Sequence, residues 1–159
     1  MSETPRDTQE LQHAWREVRR TPPPKRPAGE RIADFRETYA TYDAASAQEQ
    51  ARRCIQCPEA LCMVGCPLAN RIPEWLLLTA EGRFLEAAAL SRSTSNLPEI
   101  CSRVCPQDRL CEGACILTTR TEPVAIGAIE RFLSEYAFEH AAVEVTPAPP
   151  NGFQVAVVG

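Results

Sequence analysis

The sequence predicts an all-α domain in which helices alternate with irregular, cysteine-rich loops, followed by a short C-terminal strand. Three observations support this class. Apolar residues recur at helical spacing in several segments, and prolines interrupt the chain between them. The final residues instead form an apolar, β-branched run. The length of 159 residues fits one domain, and the 14 prolines and eight cysteines indicate many loops.

Residues 1–30 are predicted to form an N-terminal helix and a linker. Apolar side chains follow helical spacing in residues 7–20, which indicates a short amphipathic helix. Four prolines in residues 21–27 favour an extended, polyproline-type segment. A second short helix or turn that packs on the domain is predicted from three apolar residues: Ile32, Phe35 and Tyr39.

The main domain is predicted at residues 31–143, and its first long helix covers residues 43–53. Ser46 and Glu49 have the spacing of a capping box, and the residues that follow are good helix formers. This helix therefore delivers Cys54 at its C-terminal end.

A helical hairpin is predicted next. Pro73 suits the first turn of its first helix, and Gly82 suits the position just past its end. Residues 83–91 form the second helix. Pro98 then begins a short helix that holds two cysteines, and the last helix covers residues 124–142. The apolar stripe of that last helix consists of Ile126, Ile129, Phe132, Leu133 and Tyr136.

Residues 144–159 are predicted to be a linker and a truncated first strand. Residues 153–159 form an apolar run that ends in Gly159. A buried parallel strand that leads into a glycine-rich nucleotide-binding loop has the same pattern. An ordinary terminal strand is the alternative. With no sheet to join, the strand is expected to be poorly anchored. Gly159 is the one cofactor-binding candidate at this end.

The eight cysteines form two groups, with spacings x2-x4-x3 and x3-x5-x3, and a proline follows one cysteine of each group. Thiolates this close together are expected to converge on a common centre. A disulfide framework needs an oxidising compartment, and the polar N-terminus has no secretory signal. Two zinc sites would also use eight thiolates, but structural zinc sites usually separate two short pairs by a long spacer. Runs of four instead favour two [4Fe-4S] clusters, and a zinc-binding interaction module is the alternative.

In two-cluster ferredoxins, the last cysteine of a run, the one before proline, serves the other cluster. The same exchange is predicted here, although the proline of the second group follows Cys105. With this exchange, the eight cysteines divide into two sites of four cysteines each. The first-site set is Cys54, Cys57, Cys62 and Cys115. The second-site set is Cys66, Cys101, Cys105 and Cys111.

Other classes of function are disfavoured by composition. The net charge of −4 gives no basic field for nucleic acid. No apolar run approaches the roughly 20 residues of a membrane helix, so a cytoplasmic protein is expected. The chain has no nucleophile–base pair of the hydrolase kind, and no catalytic residue is predicted in it. Four arginines close to the cysteines in sequence are candidates for neutralising cluster charge: Arg53, Arg71, Arg103 and Arg109.

Several segments resemble the N-terminal domain of the small (β) subunit of NADPH-dependent glutamate synthase. A similar helical two-cluster domain occurs in dihydropyrimidine dehydrogenase and in the large subunit of the bifurcating NADH-dependent ferredoxin:NADP oxidoreductase. The resemblance covers about residues 22–142, and residues 154–159 fit the first flavin-binding strand. The segments that carry it are residues 24–27, 34–39, 53–57, 62–67, 72–76, 97–115 and 122–132.

The resemblance implies an oxidoreductase domain that relays electrons. NADPH would reduce FAD in C-terminal flavin and NADPH domains, and the electrons would pass through two [4Fe-4S] clusters to the glutamate synthase large (α) subunit. The same module in another flavin-dependent oxidoreductase is the alternative. In the relatives, the position of Cys101 is not a ligand, and the fourth ligand of the second cluster is a Gln or Glu that aligns with Glu130. The resemblance therefore favours Glu130 over Cys101.

Overall fold

The computed structural model describes residues 12–140 and 148–158. These residues form helices and loops without a β-strand, which confirms the all-α prediction. A 3₁₀ turn at Ile116–Thr119 precedes the last helix. The helices are α1 (Ala28–Arg31), α2 (Ala44–Ala51), α3 (Leu61–Val64), α4 (Ile72–Ala80), α5 (Phe84–Arg92), α6 (Pro98–Val104) and α7 (Ile126–Glu139).

The core forms where α4 packs against α2 and α5, and where α2, α5 and α6 pack against α7. Trp75 and Leu76 of α4 and Ile129 and Leu133 of α7 are almost completely buried. The predicted stripe on α7 therefore faces the core. At one end of α7, the ring of Phe132 meets Phe84 of α5 edge-on at 5.0 Å, and Tyr136 completes an aromatic cluster.

The helix ends show which local signals decide the boundaries. Asp43, and not Ser46, caps α2, because Asp43 Oδ1 accepts the backbone N–H of Ser46 at 2.7 Å. The capping-box prediction was therefore wrong by three residues. In the predicted hairpin, Pro73 lies in the first turn of α4, and Gly82 follows the helix with φ +78°.

The N-terminal segment is fastened by polar side chains around α2. Residues 12–14 are helical and residues 15–18 form turns, so the predicted helix ends early; its residues 7–11 lie outside the described part. The amide of Gln50 donates to Arg19 O at 3.0 Å and accepts from Thr21 N at 3.1 Å. The buried guanidinium of Arg53 donates to the carbonyl oxygens of Val18 and Glu122. These bonds satisfy buried backbone groups, so the segment is integrated into the domain.

The segment around α1 does not pack on the domain as predicted, because Ile32 and Phe35 are exposed. Its own polar bonds close it into a loop. The guanidinium of Arg26 binds both carboxylate oxygens of Asp34, at 2.7 and 3.0 Å. The backbone N–H of Arg26 donates to Thr38 O at 2.9 Å. The bidentate pair holds the loop in a shape that leaves its apolar side chains in solvent.

Residues 153–158 form no strand, and their apolar side chains are more than four-fifths exposed. This agrees with the expected poor anchoring, because no partner strand exists within residues 12–140 and 148–158. Gly159 and residues 141–142 of the predicted last helix lie outside the described residues. In the part of the chain that the structure covers, no helix is both long and apolar enough to cross a membrane.

Candidate metal centre

The first site brings together thiols from both cysteine groups around one cavity. Residues Leu61–Val64 form α3, which carries one of these thiols, and the fourth comes from just before the 3₁₀ turn. Apolar side chains of α4, the 3₁₀ turn and the start of α7 form the other walls. The four cysteines that line the cavity are Cys54, Cys57, Cys62 and Cys115.

Burial makes the thiolate form costly in this site. It raises the pKa of Cys54 to about 12 and that of Cys62 to about 11, and the neighbouring thiols add to both shifts. The pKa of Cys57 is raised for the same reasons. Thiolates are the ligand form of cysteine, and a metal centre stabilises them by its positive charge. A thiol-lined, apolar cavity of this kind therefore fits an iron–sulfur cluster.

The second site is a mixed set of thiols and a carboxylate. Burial raises the pKa of Cys111 to about 12, and the charges of Glu112, Glu130 and Cys66 act in the same direction. Burial also raises the pKa of Cys105, together with Cys101, Glu130 and Cys66. Cys105 and Cys111 are thus each close enough to Cys66 and Glu130 for their charges to interact, and Cys105 also to Cys101.

Glu130 is not an ordinary surface glutamate. Burial raises its pKa to about 7, opposed by the hydroxyl of Ser91, which donates to Oε1 at 3.2 Å. Within residues 12–140 and 148–158, no Lys or Arg forms an ion pair with it. A desolvated carboxylate without a cation is unfavourable, and a metal centre is one means of stabilising it.

The two cysteine groups approach each other at Gly65, the residue before Cys66. A Cβ atom at Gly65 would lie 2.8 Å from Ala114 Cβ and 2.9 Å from Leu110 O. Only glycine fits this contact without movement of the second group. Sequence analysis did not identify Gly65, because the constraint is a tertiary contact and not a local turn.

Glu112 is a second residue that sequence analysis missed. It follows Cys111, and its Oε1 accepts the backbone N–H of Gly127 at 3.0 Å in the first turn of α7. Its Oε2 pairs with Arg20 at 2.6 Å. A carboxylate at a helix N-terminus satisfies free N–H groups and interacts favourably with the helix dipole. Glu112 therefore joins the second cysteine group, the N-terminal segment and α7.

The candidate arginines are mostly engaged elsewhere. Arg71 pairs with Glu74, and Arg103 pairs with Glu37 and Glu135. Their charges are therefore balanced by carboxylates. Arg53 is buried and lies close enough to Cys115 for their charges to interact. Arg109 is exposed.

All eight cysteines are free thiols in the structure, so no disulfide framework is formed. Among the described residues, no three His, Cys, Asp or Glu side chains are grouped so as to hold one metal ion.

Comparison with known proteins identifies the class of centre. Residues 31–142 match the family model described as dihydropyrimidine dehydrogenase domain II, 4Fe-4S cluster. The chain is 48% identical over 139 residues to the glutamate synthase [NADPH] small chain of Azospirillum brasilense, and 44% identical over 144 residues to that of Escherichia coli K12. A second E. coli K12 protein, provisionally named oxidoreductase UacF, is 45% identical over 134 residues.

These matches cover 86%, 90% and 83% of this chain but 29%, 30% and 21% of the respective relatives. The chain therefore spans less than a third of the length of these relatives, and the similarity concerns the cysteine-containing domain.

Proposed function

Because the chain belongs to the 4Fe-4S family of dihydropyrimidine dehydrogenase domain II, we propose that it is the electron-transfer domain of an NADPH-dependent glutamate synthase small subunit. It carries two [4Fe-4S] clusters and relays electrons from FAD, reduced by NADPH in C-terminal domains, to the large (α) subunit. The convergence of two separate donor sets supports the two-cluster proposal. The domain is an electron relay without a substrate site of its own.

The proposed ligand sets follow the exchange between the two cysteine groups. The first cluster is held by Cys54, Cys57, Cys62 and Cys115. The second is held by Cys66, Cys105 and Cys111, with Glu130 as its fourth ligand in preference to Cys101.

The second-site choice has support from the surroundings of each candidate. Glu130 lies near two thiols of the set and is half-buried, and it forms no ion pair with a cation among the described residues. Ser95 Oγ lies 3.9 Å from the sulfur of Cys101, and either atom can be the donor. A carboxylate oxygen is a harder ligand than a thiolate, so Glu130 would give the second cluster a potential different from that of an all-cysteine site.

When bound, each cluster accepts and releases one electron with little movement of its ligands. The protein supplies the surroundings that make this transfer selective. The apolar walls of the first site exclude water, and the hydrogen bonds of Gln50 and Arg53 hold the N-terminal segment beside α2 and Cys54.

A second candidate function is the same relay in another flavin-dependent oxidoreductase. The similarity to UacF, which is as high as that to the E. coli glutamate synthase small chain, favours keeping this candidate. The two candidates share the cluster chemistry and differ in the partner that receives the electrons. Addition of glutamate synthase large subunit, glutamine and 2-oxoglutarate to the NADPH-reduced full-length protein separates them, because only the first candidate produces glutamate.

Quantitation of iron and acid-labile sulfide in anaerobically purified protein tests the cluster proposal. Two [4Fe-4S] clusters require about eight iron atoms and about eight sulfides per chain. Electron paramagnetic resonance of the reduced protein is expected to show two interacting paramagnetic centres. A colourless protein that holds two zinc ions would contradict the proposal and support a non-redox interaction module.

A further inference from the structure

Gln56 lies between the first two cysteines, and its side chain contacts the sulfur of Cys54. Nε2 donates to Cys54 Sγ at 3.4 Å and to Pro73 O at 2.9 Å, so both amide hydrogens are used. A carbonyl oxygen accepts hydrogen bonds and cannot donate them. The contact with Pro73 therefore fixes the –NH₂ end of the amide toward the sulfur.

The backbone of Gln56 supports a specific role for this side chain. Its φ of +54° lies in the left-handed region, which glycine adopts without strain and other residues adopt seldom. A glutamine thus occupies a position suited to glycine, and its amide –NH₂ group lies against the sulfur of Cys54.

We propose that Gln56 is a positioning residue for the cluster held by Cys54, and that its amide raises the reduction potential of that cluster by a hydrogen bond to the ligand sulfur. This inference rests on the proposed function. One-electron reduction increases the negative charge shared by the ligand sulfurs, so an N–H donor to sulfur stabilises the reduced form more than the oxidised form. The contact with Pro73 at the start of α4 keeps the donor in place.

Redox titration followed by electron paramagnetic resonance tests this role in the full-length, anaerobically purified protein. Gln56→Gly removes the side-chain donor and keeps a residue that accepts the backbone conformation. We expect unchanged iron content and an equilibrium for reduction of one cluster that is about tenfold less favourable, equal to about 59 mV for a one-electron couple. Gln56→Glu is expected to lower the same midpoint further, because a carboxylate cannot donate and adds negative charge.

Gln48→Leu is the matched control. Gln48 is also half-buried, but its amide donates to Ala80 O at 3.3 Å and not to a sulfur. Both midpoints should therefore stay at their wild-type values in this variant.

Wild-type midpoints in Gln56→Gly would overturn the inference. Loss of iron from Gln56→Gly would overturn it as well, because the residue would then have a purely structural role. Absence of iron from the wild-type protein would instead contradict the proposed function, and this inference would fall with it. The wild-type metal analysis therefore distinguishes the two failures.

Discussion

The site around Cys54 and the site around Glu130 differ in what surrounds their thiols. Four thiols, apolar walls and the amide donor of Gln56 form the first. The second contains the half-buried carboxylate of Glu130 in addition to its thiols, with the carboxylate of Glu112 close to Cys111. The same ligand type is thus placed in one surrounding that supplies positive dipoles and in another that supplies negative charge. If each site holds a cluster as proposed, this difference would give the two clusters different potentials.

The two sites also differ in how they are fastened to the rest of the domain. Near the first site, the buried side chains of Gln50 and Arg53 bind backbone groups of the N-terminal segment. Near the second, the buried carboxylate of Glu112 makes comparable bonds to Arg20 and the backbone N–H of Gly127. The half-exposed carboxylate of Glu37 adds ion pairs to Arg103 of α6 and Arg131 of α7. Buried hydrogen bonds are costly to break, whereas exposed ion pairs contribute little.

The largest expected effect comes from breaking the exchange of ligands between the sites. Cys115→Ser, in the second cysteine group, should remove the first cluster, and Cys66→Ser, in the first group, should remove the second. Each variant is expected to keep about four of about eight iron atoms, with a different paramagnetic signal retained in each. Iron quantitation and electron paramagnetic resonance check this. If Cys115→Ser and Cys111→Ser lost the same signal, the exchange would be wrong.

The next effect separates the two candidates for the fourth ligand of the second site. Glu130→Ala should change the signal and midpoint of the second cluster and leave the first cluster unchanged. Cys101→Ser should leave both signals close to wild type if, as proposed, the sulfur of Cys101 is not a ligand. The opposite pattern would make Cys101 the ligand.

A moderate effect is expected at the contact between the two cysteine groups. Gly65→Ala introduces a methyl group against Ala114 and Leu110, and it should destabilise the domain by about 1–3 kcal/mol. The φ of −72° at Gly65 suits alanine, so the substitution isolates the steric contact from backbone strain. Thermal unfolding of the anaerobic protein measures the change.

Gly29→Ala is the control for this substitution, because no atom lies within 4 Å of a Cβ atom built at Gly29. Its stability should equal or slightly exceed that of the wild type, since alanine favours the helical conformation of α1. Equal unfolding temperatures for the two variants would show that the groups do not meet at Gly65.

The smallest effect concerns the ion pairs near the second site. Hydrogen bonding by Arg103, with the charge of Arg131, lowers the pKa of Glu37. The carboxylate therefore stabilises the fold at pH values above its unfolded pKa of about 4.3, and this contribution is lost as the pH falls through the lower, folded pKa. Glu37→Gln should cost less than about 1 kcal/mol at pH 7 because the group is half-exposed.

Anaerobic thermal unfolding of Glu37→Gln at pH 7 and pH 4.5 measures this pH dependence, with Glu49→Gln as the control on an exposed glutamate of α2. The difference between Glu37→Gln and wild type should begin to shrink at pH 4.5. A difference that stayed constant over this range would exclude the ionised carboxylate as its source.

Much of the fold was predictable because its signals are local. Pro73, Gly82 and the apolar stripe of α7 determine helix positions through backbone geometry and periodicity. The α2 cap was harder, since Asp43 and Ser46 both suit a cap, and the structure alone shows which carboxylate or hydroxyl reaches a free N–H group.

Of the candidate sites, only the donor residues could be predicted from the sequence. Cysteine spacing indicated which thiols belong together, whereas Gln56, Gly65 and Glu112 depend on contacts between segments distant in sequence. At the loop that contains Phe35, the sequence predicted a contact that the structure does not have. Its apolar spacing predicted packing, but the Arg26–Asp34 pair holds the loop with that ring in solvent.

The meeting of Cys115 with Cys54, Cys57 and Cys62 in one cavity has a consequence for biosynthesis. A nascent chain leaves the ribosome from its N-terminus, so three of these thiols emerge well before the fourth. A cofactor delivered by an assembly scaffold at that stage would find only three of the four thiols. Only a chain synthesised past the second cysteine group could bind it with all four. Maturation is therefore expected to follow release of the whole domain from the exit tunnel.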